Sequence, residues 1–203
     1  MIQDIYPHIY KNAFQTGVTP TDNDIIFSFE EDQVLMKDEH QFYRYHEISK
    51  KSSCYYLFSI DNLKFFLADL TSLNHIKVSF RAMRTFENRM LGFAAITAWQ
   101  LYGWIQDNKY CGKCGHPMGF DQKERAMRCP HCSNIVYPKI SPAVIVGITN
   151  DKGQILVTKY AHGHYQSYAL VAGFCEIGET IEETVKREVK EEIGLDITDI
   201  QYY

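Results

Sequence analysis

Residues 173–195 read Gly173-Phe-Cys-Glu-Ile-Gly-Glu-Thr-Ile-Glu-Glu-Thr-Val-Lys-Arg-Glu-Val-Lys-Glu-Glu-Ile-Gly-Leu195. Most of this stretch predicts a helix with defined ends. Thr180 is a good N-cap residue, Glu183 three positions later completes a capping box, and Gly194 supplies a C-terminal stop. Apolar residues recur between these ends at steps of four: Ile181, Val185 and Val189. We therefore predict an amphipathic helix between Thr180 and Gly194.

Three carboxylates share one side of this helix. Glu188, Glu191 and Glu192 stand at positions i, i+3 and i+4, so they project from about one quarter of the circumference. Like charges at this spacing repel one another, and a hard divalent cation such as Mg²⁺ or Mn²⁺ would relieve the repulsion. Residues 173–203 hold nine acidic and three basic residues, which fits an anionic cation site. The alternative is a solvated acidic face, which composition alone would favour.

The residues upstream of the helix predict short strands. Ala143–Ile148 and Gln154–Thr158 flank a turn at Asn150–Gly153, and a third strand at Ala169–Val171 leads into a glycine turn and then the charged helix. Earlier in the chain, Phe86 to Trp104 carry apolar residues at three- and four-residue steps. This spacing predicts a helix over about 84–107 that connects the two halves of the chain.

Four of the six cysteines form a metal-ligand pattern: Cys111, Cys114, Cys129 and Cys132. Two Cys-x-x-Cys pairs separated by fourteen residues are close to the spacing of a four-thiolate zinc ribbon, so we predict a structural Zn²⁺. A redox dithiol would explain one pair but not both. His116 and His131 stand beside the pairs and are interpreted as surface residues.

The cysteine segment is also locally basic. Residues 109–139 carry six basic side chains: Lys109, Lys113, Lys123, Arg125, Arg128 and Lys139. Only Asp121 and Glu124 oppose them, so nucleic-acid binding by the ribbon is one hypothesis. The alternative is solvated charge on a small module.

Composition limits the remaining classes of protein. The chain has 203 residues, 45% hydrophobic and 23% charged, which is an ordinary globular balance. A net charge of −4 argues against a generally basic nucleic-acid binder. No apolar stretch approaches the roughly 20 residues that span a bilayer, and the first residues do not resemble a secretion signal. We therefore expect a cytoplasmic protein with no membrane partner.

The first 80 residues carry short β-type runs, which predict a small antiparallel sheet domain. The runs are Ile25–Phe29, Gln33–Met36, Ser53–Phe58 and Leu63–Leu67. Nothing in this part of the sequence indicates chemistry.

Two of these patterns together resemble a known enzyme family. Gly173, Glu179 and the run Arg187-Glu-Val-Lys-Glu-Glu-Ile-Gly-Leu195 match the Nudix box at every specified position. The cysteine quartet, the run Tyr137-Pro-Lys-Ile-Ser-Pro142 and the run Ala172-Gly-Phe-Cys-Glu-Ile-Gly-Glu179 are similar to the NADH pyrophosphatase branch of the Nudix hydrolases.

The resemblance implies an α+β fold with four segments. These are a β-rich N-terminal domain over 1–83, a connecting helix over 84–108, a zinc ribbon over 109–137 and the N-terminal part of an α/β/α Nudix sandwich over 138–203. A complete Nudix domain needs about 130 residues, so the resemblance also implies either a fragment of a longer protein, which we favour, or a partner chain that supplies the remainder, and the activity of the chain alone is doubtful. The branch's Ser-Gln-Pro-Trp-Pro-Phe-Pro signature and a further downstream glutamate are absent from the sequence.

The resemblance implies an activity and a set of site residues. Enzymes of this branch hydrolyse NADH or NAD(+) to AMP and nicotinamide mononucleotide, and some remove NAD caps from RNA. The implied Mg²⁺ or Mn²⁺ ligands are Glu188, Glu192 and the carbonyl of Ala172, with Glu191 as a ligand or proton acceptor and Arg187 orienting the glutamates. The implied substrate contacts are Phe174, Tyr137 and Glu124, and for the two aromatic rings core packing is an equal alternative. Relatives of the branch are homodimers.

Two other functions fit the same sequence. One is a Nudix hydrolase of another nucleoside diphosphate derivative, such as ADP-ribose. The other is a non-catalytic regulator that uses the basic ribbon to bind nucleic acid.

Overall fold

The computed structural model describes residues 2–49, 53–159, 161 and 167–203, and it divides into two compact units. The first unit is Met1–Pro138 and the second is Lys139–Tyr203. Helices and strands mix in both units, so the predicted α+β class is confirmed.

Strands β1–β8 and helix α1 precede the ribbon strands β9–β11, and β12, β13 and α2 form the second unit. Their bounds are β1 Tyr10–Lys11, β2 Ile25–Phe27, β3 Phe29–Glu30, β4 Gln33–Met36, β5 Tyr43–Arg44, β6 Tyr55–Ile60, β7 Leu63–Leu67, β8 Ile76–Ser79, α1 Arg89–Asp107, β9 Gly119–Phe120, β10 Met127–Arg128, β11 Ile135–Val136, β12 Ala143–Val146, β13 Val171–Phe174 and α2 Ile181–Ile193. Two 3₁₀ turns lie at Tyr45–Glu47 and Phe80–Thr85.

A five-stranded sheet in the order β1-β6-β7-β2-β5 forms most of the first unit. Its β6–β7 hairpin is antiparallel, but β2 and β7 pair in parallel, so the prediction of an antiparallel sheet is wrong for this pair. The long connection between β2 and β7 contains β3 to β6, which leaves enough chain for a parallel crossover. Aromatic rings fill the core beneath the sheet, including Phe27, Phe58 and Phe65.

The predicted strand Ile25–Phe29 is interrupted at Ser28. The Ser28 carbonyl accepts a hydrogen bond from the Leu35 N–H at 2.9 Å, and its hydroxyl accepts one from the Leu70 N–H at 3.2 Å. This buried residue therefore redirects the chain from the large sheet into a second sheet, ordered β3-β4-β8. One continuous strand would have left these backbone groups without partners.

Helix α1 begins later than the sequence predicts. The Asn88 side chain accepts a hydrogen bond from the Leu91 N–H at 3.1 Å, and this cap sets the start of the helix at Arg89 rather than near residue 84. The helix packs through a strip of small buried residues on the core of the first unit: Ala94, Ala95 and Ala98. In the described part of the chain, neither helix is both long and apolar enough to cross a membrane.

The small sheet of the ribbon, β9-β10-β11, is attached to the large sheet by two contacts. The Phe120 ring stacks on Tyr55 with ring centroids 4.0 Å apart. The Arg125 guanidinium donates a hydrogen bond to the carbonyl of Leu57. An aromatic pair and a charged donor thus fix the ribbon onto the N-terminal sheet.

The second unit consists of an antiparallel β12–β13 ladder with α2 packed on one face. Ala143 pairs with Phe174 at one end of the ladder and Val146 pairs with Val171 at the other. Among the described residues of this unit, the buried ones are apolar apart from Thr184, and they come from both strands and the helix: Val144, Val171, Thr184, Val185 and Val189.

One prediction for the second unit is wrong. Gln154–Thr158 is not a strand, because it makes only isolated bridges through Ile155 and Thr158, and the side chains of Ile155 and Val157 are exposed. The predicted glycine turn before the helix lies at Gly178, which has a left-handed φ of 97°, and Gly173 lies within β13. The predicted turn at Asn150–Gly153 is confirmed, with the Gly153 N–H bonded to the Asn150 carbonyl at 2.9 Å and a left-handed φ of 72° at Gly153.

Candidate functional site

Helix α2 has the ends that the sequence predicts. The Thr180 hydroxyl accepts a hydrogen bond from the Glu183 N–H at 3.2 Å, and the Glu183 carboxylate accepts one from the Thr180 N–H at 2.7 Å. At the other end, Gly194 adopts a left-handed φ of 73°. The capping box and the glycine stop are therefore confirmed, and they fix the two ends of the helix that carries the charged residues.

Arg187 is the centre of an ion-pair network on α2. Its guanidinium bonds both oxygens of Glu179 through Nε and Nη2. Nη1 donates to Glu188 at 2.9 Å and to Glu191 at 3.1 Å, and Nη2 donates to the carbonyl of Phe174 at 3.0 Å. All five N–H groups of the guanidinium are therefore used. One positive charge faces three carboxylates, so the network keeps an excess of negative charge.

Glu179 is the best-satisfied carboxylate of the network. Beyond Arg187, it accepts hydrogen bonds from the backbone N–H of Glu176 at 3.1 Å and from the hydroxyl of Thr184 at 3.0 Å. The Arg187 bonds, followed by the Glu176 N–H, lower the pKa of Glu179 to about 2. A carboxylate with this many donors is held in one orientation at neutral pH.

The lowered pKa of Glu179 predicts a pH-dependent contribution to stability. Its folded-state pKa lies below the ordinary value of 4.5, so the stabilisation is present above pH 4.5 and is lost as the pH falls towards 2. We expect the free energy of unfolding of the native chain to fall more steeply over this window than that of Glu179→Gln. Urea unfolding at pH 7, 4.5 and 3 measures the difference. An equal fall in the free energy of unfolding for the two proteins between pH 4.5 and pH 3 would contradict the prediction.

Glu188 lies directly against the backbone of β13. A Cβ atom added to Gly173 would stand 1.9 Å from the Cδ atom of Glu188, so the carboxylate occupies the space of the missing side chain. Gly173 has no left-handed φ, and it is required here for this close approach rather than for a turn. The contact holds Glu188 beside the peptide that follows Ala172.

The other two carboxylates of the predicted cation site, Glu191 and Glu192, are exposed. Among the residues that the structure describes, groups of three or more possible metal-ligand atoms within 4.8 Å of one another occur only among cysteines and histidines. Glu188 and Glu191 therefore both bind the Nη1 atom of Arg187, and they do not form a complete set of cation ligands. The donor chemistry, oxygen ligands in a negatively charged setting beside a glycine cradle, fits a hard divalent cation.

The four predicted zinc ligands converge. The Sγ atoms of Cys111 and Cys132 are 3.6 Å apart, those of Cys114 and Cys129 are 3.5 Å apart, and all four lie within 4.8 Å of one another. Sulfur atoms about 2.3 Å from a tetrahedral Zn²⁺ are separated by roughly 3.8 Å, so the cluster fits this ion.

Two similar turns build the thiol cluster. The Gly115 N–H donates to the Cys111 carbonyl at 2.8 Å, and the Ser133 N–H donates to the Cys129 carbonyl at 3.0 Å. Burial opposes ionisation of the Cys111 thiol, but hydrogen bonds from the backbone N–H groups of Lys113 and Cys114 lower its pKa to about 6. A thiol of this kind is readily deprotonated for metal binding.

Comparisons with known proteins agree with this arrangement. Residues 139–203 match the NUDIX domain, and residues 106–137 match the NADH pyrophosphatase zinc ribbon domain. The chain carries a Nudix domain after a zinc ribbon. The ribbon match and the cysteine cluster together assign a structural zinc.

About half of the chain is similar to curated proteins named NAD-capped RNA hydrolase NudC. The identity is 41% over 103 residues with the protein of Klebsiella pneumoniae (strain 342), which is 51% of this chain. It is 40% over 116 residues, or 56% of this chain, with that of Stutzerimonas stutzeri (strain A1501), and 40% over 103 residues with that of Salmonella typhi. Each match covers 40% of the relative, so the chain spans about two fifths of the length of these relatives.

Phe174 of the Nudix domain is an exposed aromatic residue. Its ring is 64% exposed at the end of β13, and its carbonyl is held by Arg187. Among the described residues, this ring is not packed in a core. Ala172, two residues earlier on the same strand, is also exposed. The strand thus presents Ala172 and Phe174 on the face opposite the buried Val171.

Two ribbon residues predicted as substrate contacts are bonded to each other. The Tyr137 hydroxyl donates to the Glu124 carboxylate, which raises the pKa of Tyr137. Tyr137 is 52% exposed and is not packed in a core of the described residues. Both residues belong to the first unit.

Fewer basic side chains of the ribbon are available to bind nucleic acid than the sequence suggests, because two arginines are engaged in contacts within the protein. Arg125 is bonded to the Leu57 carbonyl, and Arg128 pairs with the buried Asp121. Of the six basic side chains, the exposed lysines of the ribbon itself are Lys109, Lys113 and Lys123. His116 and His131 are exposed and stack on each other 3.8 Å apart, which confirms their interpretation as surface residues.

Two residues of the Arg187 network, Glu179 and Thr184, have no role in the sequence prediction. Glu179 appeared there only as a position of the Nudix box, and Thr184 had no role at all. A weak signal for Glu179 is its position three residues after another acidic residue, Glu176, ahead of the helix. Nothing in the sequence marks the buried hydroxyl of Thr184.

Proposed function

We propose that the protein to which this chain belongs hydrolyses the pyrophosphate bond of NADH or NAD(+), giving AMP and nicotinamide mononucleotide. The observation that carries the proposal is the Glu188 carboxylate, seated over Gly173 and held by Arg187. This contact places a carboxylate against the strand that carries Ala172, and hard divalent cations take oxygen ligands such as carboxylates and backbone carbonyls. Removal of the NAD cap from RNA is part of the proposal, because the relatives at 40–41% identity carry that name.

Glu188, Glu192 and the carbonyl of Ala172 would hold the divalent cation, Mg²⁺ or Mn²⁺. When bound, the cation neutralises phosphate charge and lowers the pKa of a water molecule. Glu191 is exposed and only singly bonded to Arg187, so it is free to serve as a further ligand or to accept a proton. Arg187 orients Glu188 and Glu191 and does not itself react.

The exposed ring of Phe174 suits stacking on the nicotinamide, since it offers an exposed aromatic face two residues after Ala172 on the same strand. Tyr137 and Glu124 are proposed as further contacts of the substrate. The structural zinc shapes the ribbon that carries them. A homodimer and a cytoplasmic location complete the proposal.

Metal-dependent release of AMP from NADH tests this function. We expect the whole native protein to need Mg²⁺ or Mn²⁺ and its Glu192→Gln variant to lose at least about 100-fold in rate, because a cation ligand is removed. Glu182→Gln is the matched control, since its carboxylate lies on the same helix and bonds Tyr202 instead.

The same assay separates the other two functions. Faster hydrolysis of ADP-ribose than of NADH would overturn the proposed substrate. RNA binding that weakens with salt, without metal-dependent turnover of either compound, would indicate a regulator.

A further inference from the structure

Thr184 is a fully buried polar residue in the first turns of α2. It is 0% exposed, and its hydroxyl lies 3.0 Å from Oε2 of Glu179 and 3.1 Å from the carbonyl of Thr180. Burial of a hydroxyl costs free energy unless it is hydrogen-bonded, and here two acceptors surround one proton.

The two acceptors differ in strength. Glu179 carries a negative charge, and a hydroxyl donates more strongly to a carboxylate than to a neutral carbonyl. The hydroxyl proton is therefore assigned to Glu179. Thr97 in α1 provides the contrast, since its hydroxyl bonds only the Phe93 carbonyl, at 2.9 Å, four residues earlier in the helix.

Helix formation alone does not call for threonine at this position. A β-branched residue is less favourable in a helix than alanine, and a buried hydroxyl adds a desolvation cost. The contact with Glu179 offsets both terms, because Oε2 of Glu179 then receives three donors: Arg187 Nη2, the Glu176 N–H and the Thr184 hydroxyl.

We infer that Thr184 is a positioning residue of the cation site, acting on Glu188 and Glu191 through Glu179 and Arg187. The inference rests on the proposed function for the meaning of that site. The Thr184 hydroxyl fixes the plane of the Glu179 carboxylate, and this carboxylate binds the Nε and Nη2 edge of Arg187. Only Nη1 then remains to face Glu188 and Glu191.

Removal of the hydroxyl would loosen this orientation. With Glu179 free to rotate, the guanidinium would turn more of its N–H groups towards Glu188 and Glu191 and compete with a cation for them. The expected result is weaker cation binding, although Thr184 touches no ligand itself. Mutation of a residue that is hydrogen-bonded to a metal ligand commonly lowers metal affinity by about 10- to 100-fold. Thr184 is one hydrogen bond further from the ligands than such a residue, so we expect a smaller loss of about 5- to 20-fold.

Four variants of the full chain test the inference. Thr184→Val removes the hydroxyl and keeps the branched shape, whereas Thr184→Ala and Thr184→Ser differ from each other mainly in the hydroxyl. Thr97→Val is the matched control, because it removes a partly buried helix hydroxyl that bonds a backbone carbonyl and no carboxylate. If Thr184→Val does not fold, the comparison of alanine with serine decides.

Two measurements are made on each variant. Titration with Mn²⁺ followed by electron paramagnetic resonance gives cation affinity without any substrate. The ¹H–¹⁵N resonance of Arg187 Nε reports directly whether Glu179 still holds the guanidinium, through its rate of exchange with solvent.

We expect Thr184→Val and Thr184→Ala to bind Mn²⁺ about 5- to 20-fold more weakly and to exchange the Arg187 Nε proton at least about 5-fold faster. Thr184→Ser and Thr97→Val should resemble the native chain in both measurements. Native values for folded Thr184→Val or Thr184→Ala would overturn the inference.

Failure of the proposed function gives a different pattern. If the native chain does not bind Mn²⁺, the proposed cation site fails, and the Arg187 Nε resonance alone decides the role of Thr184. If Mn²⁺ binds but NADH is not hydrolysed, the substrate assignment fails and the binding comparison still stands.

Discussion

Replacement of Cys129 by serine is expected to release the structural zinc and unfold the ribbon. The thiol is 1% exposed, and its Sγ lies 3.5 Å from that of Cys114 within the four-sulfur cluster. The three-strand ribbon sheet has only two residues in each strand, so zinc binding must supply most of its stability. Zinc binding is worth on the order of 10 kcal/mol in isolated zinc-finger peptides.

The zinc content and the fold are measured together. Elemental analysis should give one zinc per native chain and much less than one for Cys129→Ser, and limited proteolysis should cut within residues 109–137 of the variant. His116→Ala is the matched control, because this exposed imidazole stands beside the cluster without belonging to the quartet. Full zinc content in Cys129→Ser, or zinc loss in His116→Ala, would show that the ligand set is different.

The second large effect is expected from Gly173→Ala. The new methyl group would stand 1.9 Å from Cδ of Glu188, and the flexible end of that side chain must move away. We expect metal-dependent hydrolysis and Mn²⁺ affinity to fall about 100-fold, as for loss of a well-placed ligand. The free energy of unfolding should stay level or rise slightly, because alanine is favoured over glycine in regular structure by about 0.5–1 kcal/mol.

The separation of activity from stability is the decisive feature of this variant. Gly147→Ala is the matched control in the same unit, since its added Cβ would meet only the Ile155 Cδ1 atom at 3.8 Å. Urea unfolding and Mn²⁺ titration of both variants give the comparison. Equal Mn²⁺ affinities for Gly173→Ala and Gly147→Ala would mean that the Glu188 position is irrelevant to cation binding.

Local rules predicted the ends of α2 and the zinc quartet from the sequence. The capping box links residues three positions apart, and each cysteine turn spans four residues, so their geometry depends on few neighbours. The parallel pairing of β2 with β7 and the break at Ser28 depend on partners about 40 residues away, such as Leu70. No pattern within one segment contains that information.

The candidate site divides in the same way. The shared face of Glu188, Glu191 and Glu192 follows from helical spacing, whereas the contact of Glu188 with Gly173 requires β13 and α2 to pack together. A glycine turn before the helix follows from local sequence and is formed by Gly178, whereas the need for glycine at position 173 comes from the close approach of the Glu188 carboxylate. The Thr184 hydroxyl was missed because its partner is fixed by a rotamer and not by a sequence period.

The saturation of Arg187 has a consequence for how the phosphates of a dinucleotide are bound. All five of its N–H groups are already donated, to three carboxylates and one carbonyl. A guanidinium in this state cannot also act as an arginine finger on a pyrophosphate oxygen. The strongest cationic group of the network is therefore committed to holding other residues in place, and the charge that builds up on the phosphates has to be met by something other than this arginine.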